Sequence, residues 1–331
     1  MMTSGLKVYM HERPGEGALE RLRELLDEGV ELSFGPEPPE RADYDVLVAG
    51  VPTERELDAS DSLRVLIIPW AGLAQSTRRA LLGRERLLVH NIHHNAAPAA
   101  ELALALMLAA AKAVVPVDQK LREHDWSPRY EPDMSVLLER RNALVLGYGE
   151  IGKRIAGGCR GIGMSVTALR RHPEKTPADC SDRVLPASAL RHELPRADVL
   201  HVALPHTDAT RGLLGSAEME LLPTDCVLVN IARGPIVDEK ALYRALASGA
   251  IRAAGLDVWY SYPKTEEERS CTPPSRFPFH ELPNVVMSPH RGGAFSVGDV
   301  ERARAEALAA SLNAAARGAP IPHPVDVREG Y

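Results

Sequence analysis

Ala143-Leu144-Val145-Leu146-Gly147-Tyr148-Gly149-Glu150-Ile151-Gly152 is the stretch on which the reading of the fold turns. An unbroken apolar run reads as a strand covered on both faces. It passes directly into glycines spaced G-x-G-x-x-G, and a helix opens behind them. Glycine is common, so the spacing alone is weak; between a strand and a helix it has physical content. The first glycine permits the tight turn, and the second lets backbone N–H groups approach a pyrophosphate. The third lets helix and strand pack closely, while the helix N-terminus offers an anion site.

Outward from this turn the same rhythm continues. Apolar runs at Ser165 to Leu169, Val199 to Leu204, Val227 to Ile231 and Ala254 to Val258 alternate with helical segments. A second α/β block lies before it: a strand at Leu6 to Met10, a helix from Gly17 to Glu28, and apolar runs at Val46 to Ala49 and Val65 to Ile68. Alternation of this kind predicts doubly wound parallel sheets. Ala-rich helices at Ala99 to Ala113 and Val300 to Ala316 flank the glycine block. The chain is therefore expected to form a discontinuous first domain, residues 1–97 with 295–331, around an inserted dinucleotide-binding domain, residues 98–294. The segment Tyr262 to Leu282, with four prolines, is the longest irregular one and reads as a lid or a partner surface.

Composition narrows the class. With 331 residues, 45% of them hydrophobic and 25% charged, the chain can bury ordinary cores. A net charge of −6 lacks the basic footprint of a nucleic-acid binder. Cys159, Cys180, Cys226 and Cys271 are scattered without a C-x-x-C pair, which fits a reduced cytoplasmic protein with no structural metal. No apolar leader opens the chain, and Leu102 to Val117 is too short to span a bilayer, so no membrane association is expected.

The residue ending the strand after the glycine turn selects the cofactor. An acidic group there accepts the ribose 2′-OH of NAD and repels a 2′-phosphate. Here Arg170 stands eighteen residues past Gly152, followed by Arg171 and His172. A guanidinium pairs with phosphate through its planar fork, so NADP(H) is favoured, with NAD(H) as the alternative.

Three further segments carry a resemblance. Asn230-Ile231-Ala232-Arg233-Gly234, Gly255-Leu256-Asp257-Val258 and Pro289-His290-Arg291-Gly292 resemble, in order and spacing, the N-x-x-R-G, G-L-D-V and P-H-x-G segments of D-isomer-specific 2-hydroxyacid dehydrogenases. That family includes formate and phosphite dehydrogenases. The resemblance implies a Rossmann domain set into a flavodoxin-like substrate domain. It implies oxidoreductase chemistry on a small 2-oxo or D-2-hydroxy acid, and a homodimer built around the first interdomain helix. Arg233 would bind and polarise the substrate, and His290 would serve as general acid and base. Asp257 would hold the nicotinamide carboxamide. Gly147, Gly149, Glu150, Ile151, Gly152, Arg170, Arg171, Leu204, Pro205, Thr210, Ile231, Ala232 and Gly292 would line the cofactor. Trp70, Gly72 and Leu73 occupy the place of the family's carboxylate-binding glycine loop. Asn95, six residues before Glu101, falls where formate dehydrogenases carry a substrate-binding asparagine. His93 and His94 replace the usual proline and glycine; they line the substrate or form a polar loop. Trp70, His93, Trp259 and Tyr262 together suggest an aromatic pocket.

One position departs from the pattern. The family's glutamate partner of the catalytic histidine is replaced by Tyr262, five residues after Asp257. A phenol can orient an imidazole but does not stabilise imidazolium as a carboxylate does. Three readings follow: Tyr262 orients a histidine of lower pKa, Glu266 or Glu267 supplies the carboxylate, or the reaction needs no acid–base relay. The first is favoured. Two other functions stay open at this level: oxidation of formate or another small anion, and a dinucleotide-sensing scaffold without turnover.

Overall fold

Strands form wherever the chain alternates side chains between two apolar layers. The computed structural model describes residues 5–132, 135–176, 180, 182–293 and 298–330. It divides into two compact units, Met1–Ala96 with Ala294–Tyr331, and Ala97–Gly293.

In the first unit the elements run β1 (Leu6–Met10), α1 (Glu16–Leu25), β2 (Val30–Phe34), β3 (Val46–Val48), α2 (Glu54–Asp58), β4 (Val65–Ile68), α3 (Gln75–Leu81) and β5 (Leu88–Asn91). The strands are all parallel, in the order β2-β1-β3-β4-β5. This is the flavodoxin-like order. Val8, Val46, Val65 and Ile67 point into one core; Tyr9, Leu47, Leu66 and Ile68 point into the other. That period of two is why both faces need covering. Helix α2 starts on a capping box, in which Thr53 and Glu56 exchange side-chain and backbone hydrogen bonds.

The second unit contains α4 (Ala96–Ala111), α5 (Val114–Arg122), β6 (Asn142–Leu146), α6 (Glu150–Gly161), β7 (Ser165–Arg170), β8 (Arg183–Pro186), α7 (Leu190–Glu193), β9 (Val199–Val202), α8 (Ser216–Met219), β10 (Val227–Asn230), α9 (Glu239–Ala247), β11 (Ala253–Leu256) and β12 (Val285–Met287). Its seven parallel strands are ordered β12-β11-β10-β9-β6-β7-β8. The order reverses between β6 and β9, which makes the end of β6 the switch point where dinucleotides bind in such sheets. Ala143 and Val145 face one core, Leu144 and Leu146 the other. Helix α10 (Gly298–Ala316) belongs to the first unit, where Asn313 bonds Leu25 and Asp27 beside α1.

The two doubly wound parallel sheets agree with the expected fold class. The Pro-rich segment is different from a free lid. Its second half is anchored: Phe279 is buried against Tyr243 and Trp259, and buried Glu239 accepts from Ser275 Oγ and from the backbone and guanidinium of Arg276. No single helix among the described residues is long and apolar enough to cross a membrane. Nor do those residues include a His, Cys, Asp and Glu cluster able to hold a metal.

Candidate active site

The glycine turn sits at the end of β6. Gly147 has φ of +96°, and a side chain there would meet the Ala203 carbonyl at 2.4 Å. A Cβ on Gly152 would lie 1.9 Å from the Gly147 carbonyl, so helix α6 packs against the turn only because residue 152 is glycine. Gly149 is the opposite case: a Cβ there would meet nothing within 4 Å. Space in front of its backbone, at the N-terminus of a twelve-residue helix, fits a pyrophosphate. Glu150 follows, its carboxyl held below the usual range by Arg154 and Lys153. Ile151 is half-buried beside the β6 core.

At the end of β7, Arg170 is half-buried, and one guanidinium nitrogen reaches Thr176 Oγ1 at 3.3 Å; Arg171 is exposed. Across the switch point, Leu204 and Pro205 begin a turn closed by Thr210, whose Oγ1 donates to the Pro205 carbonyl at 2.7 Å and accepts from the Thr207 N–H at 2.8 Å. The turn carries His206, whose Nε2 is buried without a partner. Burial and the charges of Arg211 and Arg233 lower its pKa. Sequence reasoning passed over His206; a polar residue off the carboxyl end of a central strand was the available signal.

The candidate reacting groups lie on the turns after β10, β11 and β12. Ile231 and Ala232 are buried, and Arg233 projects outward, its Nη1 donating to the Ala232 carbonyl at 2.7 Å. Asn230, fully buried, locks that turn by accepting from the Ala232 N–H and donating to the Arg233 carbonyl. Asp257 is also buried. Its carboxylate accepts from Ser288 Oγ at 2.5 Å, the Arg291 N–H at 2.7 Å and the Gly292 N–H at 2.8 Å. These bonds bracket His290, which stands at φ of +57°, a left-handed conformation costly for a non-glycine residue. Asn230, Asp257 and Ser288 thus act as braces, a role that motif matching did not assign to any of them.

His290 is half-buried. Burial and the Arg233 charge push its pKa down, and Asp257 opposes them. Arg233, Asp257, Tyr262 and His290 therefore lie within electrostatic reach of one another. Tyr262 places its ring 5.5 Å from the imidazole, tilted by 56°, while its hydroxyl accepts from the Trp259 N–H at 3.0 Å. Burial raises the phenol pKa. Glu266 pairs with Arg269, and Glu267 is exposed in a short helical turn. Trp259 is not a pocket wall. It is 4% exposed, with its indole N–H on the Ser288 carbonyl.

In the first unit, Trp70, Gly72 and Leu73 follow β4. The Trp70 ring stands over Gly50, where a Cβ would come within 1.7 Å of it. Gly72 has φ of +105°. His93, His94 and Asn95 follow the neighbouring strand β5. His93 bonds Asn91 at 2.9 Å and stacks at 4.4 Å on His323.

Comparison with known proteins gives the family. Residues 104–292 match the family described as D-isomer specific 2-hydroxyacid dehydrogenase, NAD binding domain. The chain belongs to the D-isomer specific 2-hydroxyacid dehydrogenase family. Among this family's curated members, the D-3-phosphoglycerate dehydrogenase of Mycobacterium bovis is 32% identical over 83% of this chain and 49% of its own length. The glyoxylate/hydroxypyruvate reductase B of Enterobacter sp. is 34% identical over 65% of this chain and 64% of its own. The chain thus spans about half the length of the phosphoglycerate dehydrogenases it matches. A solved D-isomer specific 2-hydroxyacid dehydrogenase of Xanthobacter autotrophicus, in complex with NADPH and MES, superposes with a TM-score of 0.76 at 23% identity, over 98% of this chain and 100% of that one.

Proposed function

We propose that the protein is an NADP(H)-preferring oxidoreductase that interconverts a small 2-oxo acid and its D-2-hydroxy acid. The observation carrying this reading is the placement of an exposed guanidinium, Arg233, beside a braced imidazole, His290, on turns at the same carboxyl edge of the parallel sheet as the glycine cradle. A reduced nicotinamide bound on that cradle would supply the hydride. Arg233 holds the carboxylate and polarises the oxo group. His290 Nε2 or Nδ1 gives its proton to the developing alkoxide and, in the reverse direction, takes it back. Tyr262 packs against the ring without supplying charge, so the histidine works from a lowered pKa. Trp70, Gly72, Leu73 and Asn95 are the substrate-side residues of the same proposal, in the unit formed by residues 1–96 and 294–331.

Arg170 and Arg171 support the NADP(H) preference, since the sequence of β7 ends on arginine where an NAD site would carry a carboxylate. A homodimer is supported by the apolar surface of α4, α5 and the segment after them. Leu108, Val114, Leu121, Trp126, Tyr130 and Leu137 are all exposed there. The scattered cysteines support a cytoplasmic location.

The test is a nicotinamide absorbance assay of the protein with NADPH and NADH separately, against glyoxylate, hydroxypyruvate, pyruvate and phenylpyruvate. Turnover faster with NADPH is expected. Arg170→Ala should lower kcat/KM for NADPH by about tenfold or more and leave NADH nearly unchanged. Binding of either cofactor with no acid reduced would favour a sensing scaffold, and turnover of formate in reverse would favour a small-anion dehydrogenase.

A further inference from the structure

Arg233 stands on the turn after β10 and His290 on the turn after β12, while the turn after β11 brings Tyr262 onto the imidazole. Three contacts tie the Arg233 turn to the segment that carries Tyr262. Gly234 lies so close that a Cβ there would come within 2.3 Å of the Trp259 carbonyl oxygen. The Tyr260 hydroxyl donates to the Val237 carbonyl at 2.9 Å. Glu239, in the first turn of α9, accepts on one oxygen from Ser275 Oγ at 2.8 Å and from the Arg276 N–H at 2.9 Å. Its other oxygen accepts from Arg276 Nε and Nη2, at 3.1 and 2.9 Å.

The Glu239 carboxylate is buried, and burial pushes its pKa up. The Arg276 N–H, the Ser275 hydroxyl and the Arg276 guanidinium outweigh that and hold it below the usual range. A charge kept ionised in such a place has to be fully bonded, so its partners are held firmly. Those partners directly follow Pro274, whose carbonyl accepts from both the Tyr260 and the Ser261 N–H, at 3.1 and 3.0 Å. Residues 261–274 are thereby pinched into an Ω-loop with its neck at Pro274. Tyr262 stands just past the neck, and its hydroxyl turns back to the Trp259 N–H. The tip is exposed, and its bonds, Lys264 N–H to Glu268 and Arg269 to Glu266, stay within the loop. The neck is what sets the place of Tyr262.

We infer that Glu239 and Tyr260 are positioning residues for the reaction: they clamp the loop neck to the turn that carries Arg233 and thereby fix Tyr262 against His290. Both act through Tyr262, and the inference rests on the 2-oxo acid reading. When the clamp loosens, the phenol ring leaves the imidazole and water replaces it. The charged groups facing that imidazole, Arg233 and Asp257, remain. Better solvation favours imidazolium, so the His290 titration moves to higher pH. Loss of the Glu239 negative charge by itself would move it the other way, so the sign separates displacement of the ring from a direct field effect.

The experiment takes Glu239→Gln and Tyr260→Phe, each alone and combined with Tyr262→Ala. It follows reduction of glyoxylate by NADPH against pH, and titrates the His290 ring by NMR in the intact protein, its signal assigned by its loss in His290→Asn. Glu239→Gln should lower kcat about tenfold, leave KM within about twofold, and raise the His290 titration. Tyr260→Phe, which removes one hydroxyl, should act in the same direction and more weakly; it decides the matter if Glu239→Gln does not fold. In the Tyr262→Ala background most of the shift should vanish, because no ring is left to displace. A His290 titration unmoved or lowered in the deciding variant, or a shift that keeps most of its size without Tyr262, overturns the inference while the dehydrogenase reading stands. If wild type reduces no 2-oxo acid, that reading falls, and the NMR titration alone judges the clamp.

Discussion

Two turns at the carboxyl ends of parallel strands treat their polar groups in opposite ways. In the turn after β12, Ser288 Oγ, the Arg291 N–H and the Gly292 N–H all end on the carboxylate of Asp257. In the turn after β5, His94 Nδ1 and Asn95 Oδ1 end on nothing. The saturated turn holds one side chain, His290, in a conformation it would not choose alone. The unsaturated turn leaves two buried polar atoms unpaired among the described residues, a cost of about 1–3 kcal/mol each. An acid–base group works best when held rigidly, and the bonds around His290 supply that rigidity.

The comparison breaks first if the reacting groups are less decisive than their braces. Arg233→Ala should lower kcat/KM by about a thousandfold. The melting temperature should hardly move, because the side chain is exposed and its one bond is to its own neighbour's carbonyl. A loss under tenfold would remove Arg233 from the chemistry. Next in size is Asp257→Ala, which strands three donors and frees the left-handed His290 turn. It should cost about 1–3 kcal/mol of stability and about a hundredfold in kcat. Lost stability with unchanged kcat would mean the brace does not serve the imidazole.

How far the sequence displayed this contrast depends on burial. The central strands β1, β3, β4, β6, β9, β10 and β11, together with β7, read from their apolar runs because both faces are covered. The unread strands β2, β5, β8 and β12 are the edges of the two sheets. Arg183-Val184-Leu185-Pro186 and Leu88-Val89-His90-Asn91 mix polar and apolar residues as half-covered edges do, so no periodicity marks them. The residues proposed to react were legible because their motifs are contiguous. The brace from Ser288 to Asp257 spans 31 residues and was not. The same holds for the link from Arg304 to His94, at a separation of 210. Hydrogen bonds between distant segments leave no local pattern to read.

A smaller effect tests what surrounds the imidazole. Reduction needs imidazolium, and burial with Arg233 lowers the His290 pKa. The rate of reduction should therefore fall, as pH rises, earlier than for an ordinary histidine, and oxidation should gain over the same interval. Tyr262→Glu sets a carboxylate where the phenol ring now packs. It should move both limbs to higher pH. An unchanged profile would show that the side chain at 262 does not govern the acid.

The smallest effect concerns an unpaired atom inside a strand rather than on a turn. His201 Nδ1 is also without a partner, but the residue is fully buried in β9, with only Cys159 Sγ at 3.7 Å from its other nitrogen. Burial drives its pKa to about 3. The unfolded chain takes up a proton near pH 6.5 that the folded one refuses, so folded stability is lost as pH drops below that point. His201→Leu removes the linkage and the unpaired atom together. The variant should gain little at pH 8 and about 2 kcal/mol relative to wild type at pH 5. Urea unfolding at the two pH values measures this. A gap that does not widen on acidification would mean that His201 finds a partner in solution.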